Sequence, residues 1–142
     1  MSWLSTLPHQ IPFRATSDAR PIDEKTIEGD FLCTANDALF PGECSLDIML
    51  IEAMAQCAGG IAFRERPGHG YLSGIDHFET DRPVEPGDFV TIRATLDAEF
   101  GSLYRFSAIA SAGGLEFARA RFYLAAPPAD AEQDDEPSNA NP

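Results

Sequence analysis

Positive charge is what this chain has least of. Its 142 residues carry 10 Lys and Arg against 23 Asp and Glu, a formal net charge of −13. A surface so poor in cations excludes a general nucleic-acid binder, because holding phosphates needs a basic face. Attraction to an anionic membrane surface is excluded on the same ground. Cysteine is scarce too: Cys33, Cys44 and Cys57, an odd number without metal-type spacing. That set describes neither a disulfide framework nor a zinc site, and it points to a reducing, cytoplasmic setting. Among His9, His69 and His77 no two stand at ligand spacing, so no metal is expected. The start, Met1-Ser2-Trp3-Leu4-Ser5, lacks the basic and apolar regions of a secretory signal. The longest apolar stretch is interrupted by Asp47, Glu52 and Gln56, which leaves no membrane span. No glycine-rich phosphate loop follows a strand, and no Gly-x-Ser-x-Gly elbow occurs. Nucleotide enzymes and serine hydrolases of those types drop out.

What is present suits one globular domain. The composition is 44% hydrophobic and 10% aromatic, and the length matches a typical domain of about 100–150 residues. We expect one domain over residues 1–126. Residues 127–142 form an acidic tail holding Asp130, Glu132, Asp134, Asp135 and Glu136, with no basic or aromatic residue. Such a segment cannot bury enough apolar surface to offset the entropy of ordering, so disorder is expected there.

Residues 1–24 are proline-rich and read as an irregular docked segment with at most one short helix. Alternation from Lys25 to Thr34 suggests a strand. One long helix is expected from Leu46 to about Phe63, capped by Ser45, with Asp47 placed at the positive end of the helix dipole. It is apolar nearly all round, so other elements must wrap it on several sides. Gly59 and Gly60 weaken it by about 1 kcal/mol each, which suggests close approach of another backbone. Strands are then expected over Tyr71–Phe78, Phe89–Leu96, Leu103–Ser111 and Leu115–Ala125, joined by short turns as an antiparallel meander. The sum is an α+β fold, a long antiparallel sheet around one buried helix.

Chemistry concentrates on that helix. Glu52 and Gln56 are i,i+4 neighbours on one face. A carboxyl among apolar residues is costly to place, and general acid–base catalysis uses such groups. Gln56 reads as a hydrogen-bonding residue, Asp47 as a helix-start charge, and Cys57 as a small core hydrophobe.

In order along the chain, Leu7-Pro8-His9-Gln10-Ile11-Pro12-Phe13, Phe40-Pro41-Gly42, Ile51-Glu52-Ala53-Met54-Ala55-Gln56, Ser73-Gly74-Ile75-Asp76 and Arg82-Pro83-Val84-Glu85-Pro86-Gly87-Asp88 resemble the hotdog-fold 3-hydroxyacyl-[acyl carrier protein] dehydratases of fatty-acid synthesis. The likeness runs from Leu7 to Ala125. It implies a helix wrapped by an antiparallel sheet and a homodimer joined edge to edge, or a heterodimer with a paralogue. The substrate it implies is an acyl thioester on acyl carrier protein or coenzyme A, with no cofactor. In that family a histidine in a His-Phe-Pro-Gly motif takes the α-proton, and a glutamate on the helix of the other subunit protonates the leaving hydroxyl. Glu52 matches the glutamate. Leu39 stands where the histidine belongs, and a leucine cannot accept a proton. The same resemblance marks Leu39, Phe40, Gly42, Ile48, Gln56 and Tyr71 as substrate-binding positions. It leaves three readings: a dehydratase with rearranged acid–base groups (His9 among the candidates), a non-catalytic acyl-binding subunit or partner of an active paralogue, and a hotdog thioesterase in which Glu52 or Asp47 activates water. Arg64, Arg66 and Arg82 are the candidate basic patch for the carrier.

The tail supplies the first test. Truncation after Ala126 should leave the melting temperature unchanged; a drop of several degrees would show that residues 127–142 dock on the domain.

Overall fold

The computed structural model describes residues 16, 18–32, 47–65, 70–85 and 87–126. Six strands form one antiparallel sheet: β1 (Asp18–Pro21), β2 (Thr26–Leu32), β3 (Tyr71–Thr80), β4 (Phe89–Phe100), β5 (Leu103–Ala112) and β6 (Leu115–Ala125). The helix α1 (Asp47–Ala62) lies mainly over β4 and β2, with lighter contact to β1, β6 and β5. The spatial order is β1-β2-β4-β5-β6-β3.

The register explains how a straight helix fits against a broad sheet. Ile27, Ala94, Ala108, Ala120 and Phe78 form one row of cross-strand partners. Its three central members are alanines, a shallow trough that admits the helix. On one side of the trough Ile92, Ala110 and Ala118 line up; on the other Leu96, Phe106 and Phe122 do. Phe106 and Phe122 stack with ring centroids 6.0 Å apart. The helix answers with Leu50, Ile51, Ala53, Met54, Ala55, Cys57, Ala58 and Ile61, all buried. A helix apolar on most sides is enclosed because no other placement removes that surface from water.

The structure departs from the sequence expectations in three places. Asp18–Pro21 is a strand paired with β2 and not irregular chain. Proline is tolerated there because β1 is an edge strand, with one side free of ladder bonds. The meander holds only for β4, β5 and β6. β3 crosses to pair with β6, and β2 takes the place beside β4, so that both sides of the meander are extended by long-range partners. The close approach is not at Gly59, where a Cβ would meet nothing nearer than the Phe63 ring at 3.5 Å. On Gly29 of β2 it would lie 2.8 Å from the Asp18 carbonyl oxygen and 3.0 Å from the Cys57 sulfur. The missing side chain of Gly29 lets strand and helix touch there. The turns behave as read: Gly101, Gly113 and Gly114 adopt positive φ in two-residue hairpin loops.

Cys57 is fully buried, and burial pushes its thiol up to about 12, so it serves as packing and not as a nucleophile. Cys33, Cys44, His9, His69 and the tail lie outside the described residues.

Gly29→Ala should destabilise the domain by about 1–3 kcal/mol through overpacking, more than the roughly 0.4–1 kcal/mol regained from a stiffer unfolded chain. Gly74→Ala, where the new Cβ would meet only Tyr123 at 4.0 Å, is the control. Urea melts of both variants check this.

Candidate active site

Glu52 is half-buried on α1, between Ile51 and Ala53, which are both buried. Its Oε1 accepts a hydrogen bond from Gln56 Nε2 at 3.2 Å, as the i,i+4 spacing allows. Gln56 is itself buried, 4% exposed. Its Oε1 accepts the backbone N–H of Thr16 at 3.3 Å, and the Thr16 hydroxyl donates to the Ala53 carbonyl at 2.9 Å. Thr16 is completely enclosed. A thread of polar groups therefore runs from the N-terminal segment through the helix to the carboxylate, inside an otherwise apolar wrap. Buried polar groups persist only when bonded, and each of these bonds adds about 1 kcal/mol net while sparing a larger desolvation cost.

The other positions separate clearly. Ile48 is 74% exposed in the first helical turn, one turn before Glu52. Its backbone N–H belongs to the group at a helix start that has no partner within the helix. Tyr71 is 59% exposed at the head of β3. Its neighbour Gly70 packs so tightly on Phe63 that a Cβ there would fall 1.9 Å from the ring. Phe63 follows the helix end and stands eleven residues beyond Glu52, about 16 Å along the axis. Tyr71 thus sits toward the opposite end of the helix from Glu52. Leu39, Phe40 and Gly42 lie outside the described residues, as does the Asp47 side chain. Thr16 had no sequence signal: it stands alone in a proline-rich stretch, and its partners are 37 and 40 residues away.

Of the candidate basic patch, Arg82 and Arg64 fall among the described residues. Arg82 is tied down locally, with NH1 on Asp88 Oδ2 at 2.8 Å and on the Pro83 carbonyl at 2.9 Å, and its guanidinium 4.5 Å above the Phe117 ring. Asp88 also accepts the Glu85 N–H at 2.8 Å. Arg82 and Asp88 thus clasp this turn, and the buried Val84 beside them plugs the core. Arg64 donates to the Glu24 carbonyl at 3.1 Å, and Arg66 lies outside the described residues. No group of three or more His, Cys, Asp or Glu able to hold a metal gathers among the described residues, and no helix among them is long and apolar enough to cross a membrane.

One helix enclosed by a single antiparallel sheet of this order defines the hotdog fold. No family model matches the chain. It is 33% identical over 122 residues to the 3-hydroxyacyl-[acyl-carrier-protein] dehydratase FabZ of Acidovorax sp. (strain JS42), covering 78% of this chain and 84% of that one. To FabZ of Salmonella arizonae it is 34% identical over 126 residues, covering 78% and 81%. The chain belongs to the 3-hydroxyacyl-[acyl carrier protein] dehydratase family. Solved structures agree on the fold. The dehydratase heterocomplex ApeI:P from Xenorhabdus doucetiae superposes with a TM-score of 0.73 at 18% identity, covering 92% of this chain and 95% of that one. The PaaI protein of E. coli, from the phenylacetic acid degradation operon, gives 0.61 at 16% identity, covering 76% and 81%.

The clasp is open to a pH test. Its hydrogen bond with Arg82, then that with the Glu85 N–H, holds the Asp88 carboxyl below its ordinary value of 3.8. A carboxyl held low contributes its stability in full above 3.8 and loses it as pH falls through the lower folded value. Asp88→Asn should cost about 1 kcal/mol at neutral pH, the upper end for a partly exposed ion pair. The gap from wild type should close in acid below pH 4. Denaturant melts across pH check both halves.

Proposed function

We propose that this chain supplies the acid of a 3-hydroxyacyl-thioester dehydratase, with Glu52 as the catalytic group. The observation that carries the reading is Glu52 itself: the family's glutamate, half-buried on the enclosed helix and held by Gln56. In the elimination a base takes the α-proton and the electron pair forms the Cα=Cβ bond. The Cβ–O bond breaks, and Glu52 gives its proton to the departing hydroxyl. Enoyl thioester and water leave, and the proton held by the base returns to Glu52 through solvent. The Ile48 N–H, at the positive end of the helix dipole, suits the thioester carbonyl. Tyr71, far along the helix, would meet the distal acyl chain. Leu39, Phe40 and Gly42 would line the same pocket near the thioester. The thioester is carried on acyl carrier protein or coenzyme A.

Leu39 leaves this chain without the family's base. Because the family pairs its histidine and glutamate across subunits, a homodimer would repeat the deficiency twice. A second hotdog chain bearing the histidine would complete one site with Glu52. The heteromeric dehydratase among the structural neighbours supports that arrangement. So does the sheet: β3 is an edge strand, with Tyr71 and Ile75 exposed on it, and unpaired edges invite a partner strand.

The assay uses a short 3-hydroxyacyl thioester, read separately for enoyl absorbance and for free thiol. The chain alone should dehydrate weakly. Leu39→His should raise the rate by about 10²-fold or more, the usual worth of a general base, and adding Glu52→Gln should abolish the gain. Light scattering at micromolar concentration should show a species larger than the 15.4 kDa monomer. Thiol release that depends on Glu52 would establish a thioesterase instead. A folded Leu39→His that stays inert would make the chain a non-catalytic subunit.

A further inference from the structure

The orientation of the Gln56 amide needs a physical cause. An amide side chain can present either end to a carboxylate, and only the donor end holds it. Here the choice is made outside the helix. The Thr16 backbone N–H is a donor with no alternative role, and Thr16 is fully enclosed, so water cannot satisfy it. It meets Gln56 Oε1 at 3.3 Å. The amide oxygen is thereby committed, and Nε2 is turned to Glu52 Oε1 at 3.2 Å. A flipped amide would set two donors against each other at Thr16 and two acceptors against each other at Glu52. The Thr16 hydroxyl adds a second anchor, bonding the Ala53 carbonyl at 2.9 Å beside Glu52 in the chain. Packing closes the arrangement: the Thr16 methyl would lie 3.1 Å from a Cβ on Gly29, the glycine that admits the Cys57 sulfur.

We propose that Thr16 is a positioning residue for the acid, acting through Gln56: clamped at two points on α1, it fixes the amide's polarity and so the placement of the Glu52 carboxyl. The proposal rests on the reading of Glu52 as the acid, and it makes the N-terminal segment part of the catalytic apparatus without touching substrate. A hydroxyl residue is required because two functions meet in it. The amide orients Gln56, and the hydroxyl holds that amide in place. Valine has the same shape and keeps the N–H, but it loses the anchor. Serine keeps both.

The experiment compares wild type, Thr16→Val, Thr16→Ser, Gln56→Met and Glu52→Gln, with thermal melts confirming that each is folded. Nuclear magnetic resonance of the Gln56 side-chain amide, assigned by its loss in Gln56→Met, needs no turnover. In wild type those protons should exchange at least about tenfold more slowly than a free glutamine side chain. Their shifts should move in Glu52→Gln, where the acceptor changes. Thr16→Val should erase most of the protection, and Thr16→Ser should retain it. In the Leu39→His background, Thr16→Val should lower kcat by about tenfold with KM unmoved, a part of the about 10²–10⁴-fold a general acid supplies. Thr16→Ser should restore it. An unprotected Gln56 amide would overturn the proposal, as would a Thr16→Val variant indistinguishable from wild type in exchange. If Leu39→His never dehydrates, the assignment of Glu52 fails with the proposed function, while the exchange comparison still decides whether Thr16 orders Gln56.

Discussion

The structure depends on enclosing one helix that has almost no polar face. Eight of the buried core residues lie on α1, and leaving them wet would forfeit roughly 1.5–3 kcal/mol for each large side chain. Every larger feature answers that demand. The sheet is broad because the helix must be covered from several sides. The row Ala94, Ala108, Ala120 is small because a helix must lie against it. Gly29 lacks a side chain because Cys57 and the β1 backbone occupy the space.

An apolar enclosure makes each polar group inside it conspicuous and strictly partnered. Glu52 and Gln56 fall on the same helix face by spacing alone, and Thr16, from another part of the chain, bonds the far end of the Gln56 amide. A carboxyl on an enclosed helix keeps its geometry with little freedom to lose.

The surface tells a complementary story about charge. Several of the few cations are spent within the sheet. Glu28 sits between its cross-strand partners Arg20 and Arg93, at 2.8 and 3.0 Å. Arg119 reaches Glu79, Asp81 and Glu116. Arg82 is folded into its own turn. Exposed pairs of this kind add little stability individually, but they withdraw cations from any partner. With a net charge of −13, the chain as a whole repels acidic partners at long range.

The sequence alone determined the helix, its burial, the strands from Phe89 onward, the acid on the helix and the family, because those signals are local: periodicity, turn glycines and short motifs at fixed spacing. It also determined the absence of a histidine before Phe40-Pro41-Gly42. Only the tertiary structure decided that Asp18–Pro21 is a strand, that β3 pairs with β6, that Gly29 and not Gly59 is the point of close approach, and that Arg82 closes a turn. Thr16 is the clearest case. Its residue type suits many surroundings, and its role arises only where chain folding brings it against residues 37 and 40 positions away. Contacts at that separation are chosen by the competition of whole layers for the same apolar surface, which no local pattern records.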